Sequence, residues 1–320
     1  MEDKIKLAVV TGPTASGKTS LAVELALELN GEIIGADSMQ IYQGLPIATA
    51  QPTLEEQKGV PHHLIAFLKP DQPFSVSDYV SLAQKTIREV WQRGKLPILC
   101  GGTGLYLQST VDCIAFDQSA AGDDALREEL MEQVKQDQGE SLYRELCQID
   151  PDSAKIIHPH NYVRLVRAIE VYRLTGKTLW DQKQLSRRES RYQLGMVGLN
   201  YADRSLLYDR INRRVDQMVE QGLLEEAKQV LANPALKTAA NAIGYKELRP
   251  WLEGCLSLEE CLENLKRQTR RYAKRQITWL KRDQRIHWLD PSAMDFDSLV
   301  KQAKQVLQKD LSLCYNRCIG

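Results

Sequence analysis

The sequence predicts an α/β protein: a parallel sheet flanked by helices, with an all-helical insertion domain. Three observations carry this. Short apolar runs recur at strand length and exit into glycine- or aspartate-bearing turns. One turn, Gly12-Pro13-Thr14-Ala15-Ser16-Gly17-Lys18-Thr19, has the spacing glycine, four residues, Gly-Lys-Thr of a P-loop. Between residues 117 and 189 the strand pattern gives way to charged helical periodicity. The expected layout is a P-loop NTPase-like core, 1–116 and 190–320, carrying a helical insertion, 117–189.

Leu7 to Val10 is the first strand, and Ser20 onward is an amphipathic helix with Leu21, Leu25 and Leu29 on one side. Strand, turn and helix supply the context a P-loop needs. Backbone N–H groups of the turn and helix N-terminus converge and attract anions. Lys18 adds a point charge, and the Thr19 hydroxyl can hold Mg²⁺. The loop therefore reads as a di- or triphosphate cradle, without stating which phosphate.

Glu32 to Ala36 is the second strand, ending at Asp37-Ser38-Met39-Gln40. Ligands of open parallel sheets sit at the carboxyl ends of strands, so Asp37 is expected in the P-loop crevice. It could hold Mg²⁺, act as a general base, or cap a helix. Residues 43–76 are punctuated by Gly and Pro and read as irregular. His62 and His63, adjacent in that stretch, would point to opposite faces of a strand and share no metal. A helix is expected over Ser77 to Arg93, capped by Ser77 or Asp78, and Leu96 to Cys100 is a third strand. Gly101-Gly102-Thr103-Gly104 follows it, a second glycine-rich strand exit with a hydroxyl in it.

The insertion is expected to hold helices over Asp123–Gln138, Ser141–Gln148 and Asn161–Thr175. Arg164 and Arg167 lie three apart, on one helix face. The core resumes at Leu194–Leu199. Arg210 and Arg214 follow one turn apart on a helix and could grip a diphosphate together, or pair with Asp209 and Asp216. Asn241 to Glu247 is a Gly-broken polar loop. Between Lys266 and Arg285 nine basic residues, Arg270 and Lys274 among them, face one acid, Asp283. Tyr272 and Trp279 interleave with them. The chain as a whole has 42 basic and 42 acidic residues, so this local excess is an electrostatic footprint for a polyanion. Residues 296–320 read as a helix and a Cys-bearing end.

No stretch has the roughly 18 apolar residues of a membrane span. The seven cysteines show no Cys-x-x-Cys spacing, which points to reduced thiols and a cytoplasmic protein.

The chain resembles the tRNA isopentenyltransferase (tRNA dimethylallyltransferase) family, bacterial type. The resemblance rests on Gly12–Thr19, Asp37–Tyr42, Pro61–Leu64, Gly101–Leu107, Arg164–Glu170, Arg210–Asp216, Ala242–Glu247 and Tyr272–Trp279, in the family's order over residues 7 to 290. It implies transfer of a dimethylallyl group from dimethylallyl diphosphate to N6 of adenosine at tRNA position 37, with diphosphate released. In this family the P-loop, Gly12 to Thr19, holds the prenyl diphosphate rather than ATP, helped here by Arg210, Arg214 and by Mg²⁺ at Thr19. Asp37 is then the base, and Thr103 places substrate. Asp37, Ser38, Met39, Gln40, Thr103, Arg127, Val163, Arg164, Arg167, Asn241, Gly244, Tyr245, Lys246, Arg270 and Lys274 are implied to meet tRNA. The insertion would clasp the anticodon stem-loop. Val163 and Asn241 stand where the family carries Gln. No membrane or protein partner is implied, and a monomer is expected. The rivals are an adenylate isopentenyltransferase acting on free nucleotides, a P-loop kinase or ATPase, and an RNA-binding protein with a structural P-loop.

Overall fold

A computed structural model describes residues 4–114, 122–181 and 190–313. The chain divides into two compact units, Met1–Val111 with Arg191–Gly320, and Asp112–Ser190.

The first unit is built on six strands: β1 (Ile5–Thr11), β2 (Gly31–Gly35), β3 (His62–His63), β4 (Leu96–Gly101), β5 (Tyr192–Leu199) and β6 (Ile286–Leu289). All pair in parallel, in the order β3-β2-β4-β1-β5-β6. Parallel strands buried on both faces read as continuous apolar runs, and Leu7 to Val10 are completely buried. Strand β1 lies between β4 and β5, so its exit, the P-loop, emerges between two neighbouring strand ends. Strands β3 and β6, two and four residues long, carry too little apolar pattern to announce themselves. His62 and His63 do sit on a strand. His63 Nε2 meets Glu32 at 2.7 Å, and Arg93 donates to the same carboxylate at 2.6 Å, so this pair builds structure rather than a metal site. Burial works to raise the Glu32 pKa, but the Arg93 and His63 hydrogen bonds outweigh it and hold the carboxyl below its usual range.

Helix α1 (Lys18–Leu29) starts directly at the P-loop; α2 (Leu54–Gln57) is a single turn within the irregular stretch; α3 (Val76–Gln92) covers the sheet. The N-cap of α3 is Ser75, in a reciprocal capping box with Asp78, and not Ser77 or Asp78. Ser75 sits three residues before an acid, and that reciprocity fixes the start. Helix α4 (Gly104–Val111) closes the first stretch of the unit.

The described secondary structure of the second unit is helical: α5 (Asp124–Asp137), α6 (Glu140–Ile149), α7 (Pro151–Ala154) and α8 (Tyr162–Thr175). Leu130, Val134, Leu142, Leu146, Leu165 and Ile169 form its own core.

The first unit resumes with β5 and continues through α9 (Arg204–Glu220), α10 (Leu223–Ala232), α11 (Lys237–Ala240), α12 (Arg249–Leu252) and α13 (Leu258–Leu280), then β6 and α14 (Phe296–Asp310). Helix α13 buries Cys261, Leu265, Ala273, Gln276, Ile277 and Leu280 and turns its charge outward. No described helix is long and apolar enough to cross a membrane. Cys314 and Cys318 lie outside the described residues.

Candidate active site

The crevice at the sheet's carboxyl edge has two chambers that meet at the P-loop. One, of about 330 Å³, is lined by Asp37, Ser38, Met39, Gln40, Asn241, Gly244, Lys246, Tyr272 and Gln276, among others. The other, of about 650 Å³, is lined by Arg210, Arg213, Arg214, Gln217 and Glu56, among others. Ala15, Lys18, Thr19, Ala50, Arg214 and Met218 border both.

The loop's shape follows from its backbone. Gly17 takes φ 92° and Ala15 φ 61°, left-handed conformations that turn successive N–H groups inward. Thr14, Ala15, Gly17, Lys18 and Thr19 reach the chambers, while Gly12, Pro13 and Ser16 are buried behind them. A Cβ at Gly12 would press on Ser16 Oγ and the Leu199 carbonyl, so glycine is required there. Ser16 Oγ is buried and has no hydrogen-bond partner among the described residues.

The electrostatics favour an anion. Arg210 Nε donates to the Ala15 carbonyl at 2.9 Å, which ties α9 to the loop. Among the described residues neither Arg210, Arg213 nor Arg214 makes an ion pair; Asp216, the sequence's other candidate partner, is taken by Lys266 at 2.8 Å. Burial lowers the pKa of both Lys18 and Arg214, and Arg214 beside Lys18 lowers the latter further. A guest with two phosphoryl groups would relieve that crowding. Arg213 is not among the sequence candidates, yet the spacing 210, 213, 214 marks one helix face. Burial holds the Cys100 thiol near pKa 11, so it remains a thiol and offers no nucleophile.

On the other side, Asp37 Oδ1 accepts from the backbone N–H of Met39 at 2.9 Å and of Gln40 at 3.4 Å. The cap-like reading is thus realised as a turn, and the same carboxylate still lines the chamber. Thr103 stands behind the wall: its Oγ1 accepts from Ser38 N–H at 3.1 Å. Burial, followed by the Asp37 charge, pushes the Tyr272 hydroxyl up, while hydrogen bonding with Thr103 and Gln276 works against this. Asp37, Thr103, Tyr272 and Gln276 therefore converge. Tyr272 and Gln276 are site residues that charge counting on α13 passes over. Gln40 Nε2 donates to the carbonyls of Thr49 and Ala50, which makes its amide a brace for that loop.

Several residues expected at tRNA do other work. Tyr245 is fully buried, and its hydroxyl donates to Glu226 Oε1 at 2.7 Å. Glu226 also accepts from Ile47 N–H and Ala48 N–H, at 3.0 and 2.8 Å. Tyr245 is therefore core. Tyr245→Phe should destabilise folding by roughly 1–3 kcal/mol, the usual cost of stranding a buried polar partner. Denaturant unfolding measures this; weaker tRNA binding at unchanged stability would reinstate a surface role. Gly244, at φ +116°, keeps its place on the wall because a side chain there would meet Ala48. Lys246 and Asn241 are exposed at the chamber.

In the helical unit, Arg127 and Arg167 both pair with Glu170, at 2.9 and 2.7 Å, and Glu170 is completely buried. These arginines neutralise a core carboxylate, and each stays about half exposed. Val163 and Arg164 face solvent on α8. On α13, Arg267, Arg271 and Lys274 are exposed, and no described carboxylate pairs with them; Arg270 donates to Asn212 Oδ1 at 2.6 Å.

Two family models match the chain: IPP transferase over residues 40–283 and isopentenyl transferase over residues 5–66. A tRNA dimethylallyltransferase of Thermoanaerobacter sp. (strain X514) is 46% identical over 288 residues, 89% of this chain and 91% of that one. The protein of the same name from Halalkalibacterium halodurans is 46% identical over 301 residues, 93% and 95% of the two chains. The crystal structure of a full-length tRNA isopentenylpyrophosphate transferase from Bacillus halodurans matches with TM-score 0.73 at 44% identity, over 97% of each chain. A eukaryotic dimethylallyltransferase acting on tRNA matches with TM-score 0.74 at 31% identity, over 95% of this chain and 77% of that one. The first model takes in the Asp37 turn from Gln40 onward, the helical unit, the arginines of α9 and the whole of α13, and the chain belongs to the IPP transferase family.

Proposed function

We propose that this protein transfers the dimethylallyl group of dimethylallyl diphosphate to N6 of the adenosine at tRNA position 37 and releases diphosphate. One observation carries the reading: a chamber lined by three arginines that make no ion pair among the described residues and a chamber lined by Asp37 meet at Lys18 and Thr19. The allylic C1–O bond breaks as N6–C1 forms. Negative charge grows on the leaving diphosphate, where the loop amides, Lys18, Arg210 and Arg214 stabilise it. Asp37 takes the N6 proton. Adenine reaches Asp37 only if the nucleotide leaves the anticodon stack, which a splayed single-stranded loop permits.

Mg²⁺ fits the donor set in one way. Thr19 borders both chambers, and the described residues contain no cluster of three or more His, Cys, Asp or Glu side chains for a metal. A hard cation at Thr19 would take most of its oxygens from the diphosphate and water, and would neutralise leaving-group charge when bound.

tRNA contacts are assigned to Ser38, Met39, Asn241, Gly244 and Lys246 at the chamber, to Arg270 and Lys274 on α13, and to Val163 and Arg164 in the helical unit. The exposed cations of α13 would serve no purpose for a free adenine nucleotide, and this disfavours the adenylate enzyme. A cytoplasmic location goes with tRNA as the substrate.

The test is incubation with dimethylallyl diphosphate, Mg²⁺ and unmodified tRNA carrying adenosine at 36, 37 and 38, read by mass spectrometry for prenylated adenosine. Absence of product together with brisk ATP hydrolysis would favour the kinase or ATPase reading. Replacing Arg270 and Lys274 together by alanine should weaken tRNA binding and flatten its dependence on log salt by up to about two units of slope. Unchanged affinity and slope would leave the helix merely solvated.

A further inference from the structure

Helix α13 has two faces with different chemistry. Arg267, Arg271, Lys274 and Thr278 form one exposed stripe. Gln276 and Trp279, three apart on the inner side, press onto the glycine-rich exit of β4. A side chain at Gly102 would collide with the Gln276 amide, and one at Gly104 with the Trp279 indole, so these two glycines exist to admit the helix.

Gln276 is 5% exposed and uses both ends of its amide. Its Oε1 accepts from Thr14 N–H at 2.8 Å, inside the P-loop. Its Nε2 donates to the Gly102 carbonyl at 3.0 Å, beside Thr103. Thr103 in turn holds Ser38, next to Asp37. The donor and acceptor partners also fix which end is which: only a carbonyl oxygen can receive Thr14 N–H, and only an NH₂ can meet a carbonyl. No charged side chain of this size offers both functions.

We infer that Gln276 is a positioning residue for the transfer: from the inner face of the basic helix it fixes the distance between the diphosphate cradle and the Asp37–Thr103 wall. This rests on the prenyl-transfer reading above. It adds that the alignment of donor and acceptor is set by the same helix that bears the tRNA-facing cations. In-line displacement is sensitive to such alignment, and a misplacement near 1 Å can cost about 10²-fold.

The experiment compares Gln276→Met and Gln276→Glu with the parent enzyme and with Lys274→Ala. Single-turnover prenylation is measured at saturating substrates, with inorganic diphosphate and tRNA affinities measured separately. Gln276→Met is expected to lose roughly 10–100-fold in rate while both affinities stay within about threefold; Gln276→Glu should lose as much in rate with its tRNA affinity kept, and bind diphosphate more weakly because of its added charge. Lys274→Ala is the comparison for binding: its tRNA affinity is expected to fall, where the Gln276 variants keep theirs. If Gln276→Met does not fold, Gln276→Glu carries the test through its saturated rate and its tRNA affinity: it keeps the shape and the Thr14 acceptor, loses the Gly102 donor and adds a negative charge beside the cradle. A folded variant with the parent rate overturns the inference. So does a folded Gln276→Met whose affinities fall as far as its rate, since that is a binding defect and not misalignment. A parent enzyme that makes no prenylated adenosine overturns the reaction itself, and the inference with it; an active parent with unaffected variants overturns the inference alone.

Discussion

Replacing Asp37 by alanine is expected to slow prenyl transfer by roughly 10²–10⁴-fold, the range lost when a positioned general base is removed. The structure complicates that variant and supplies its control. Asp37 Oδ1 also accepts from Met39 and Gln40 N–H, so alanine removes both a base and the turn that shapes the wall. The substitution Asp37→Asn separates the two roles, because it keeps an oxygen for the two N–H groups and cannot take a proton. If the carboxylate is the base, Asp37→Asn falls as far as Asp37→Ala in single-turnover rate, with prenyl diphosphate affinity retained. If Asp37 only holds the turn, Asp37→Asn runs near the parent rate, and proton removal must be assigned elsewhere.

Removing Lys18 should cost comparably, by a different route. Lys18→Met deletes one of the two cations, with Arg214, that border both chambers, and is expected to lower kcat/KM by roughly 10²–10³-fold, as for loss of a preorganised group facing developing negative charge. A pH signature accompanies it. Burial and Arg214 hold the Lys18 pKa below its ordinary value, so the ammonium loses its proton at lower pH than a free lysine. The diphosphate prefers the ammonium form. Its affinity should therefore be full on the acid side of the Lys18 pKa and decline as pH rises through it, with binding taking up a proton there. Lys18→Met should lack that alkaline decline. Parent-like kcat/KM in the variant would detach Lys18 from the leaving group; an identical alkaline limb would assign the titration to another group.

What can be read before folding is local. The P-loop is a motif because backbone geometry and a helix N-terminus do its work, and Gly17 and Ala15 adopt the turn that the spacing requires. The strand runs at Leu7–Val10 and Leu96–Cys100, and the helical texture of residues 123–175, are legible because burial on both faces and 3.6-residue periodicity leave strong patterns. The Arg210/Arg214 pairing is legible because one helical turn puts them together. By contrast, β3 and β6 are not legible, because short strands carry little pattern of their own, and the α3 cap lies two residues before the expected Ser77.

Relations between distant segments are decided only by the tertiary structure. Tyr245 sits in a polar-looking loop, yet Glu226, nineteen residues earlier, draws it into the core. The resemblance puts Arg127 and Arg167 at tRNA, and the fold adds a second partner for both, the buried Glu170. Gln276, a neutral residue in a run of cations, gains its role only when the fold sets Thr14 and Gly102 on either side of its amide, 262 and 174 residues away in sequence. The sequence by itself determined the chemistry available: an anion cradle, a carboxylate at a strand end, and a basic helix. Folding decided which of those side chains face the crevice, because burial, partner geometry and the close approach allowed by Gly102 and Gly104 are properties of the packed chain and of no single segment.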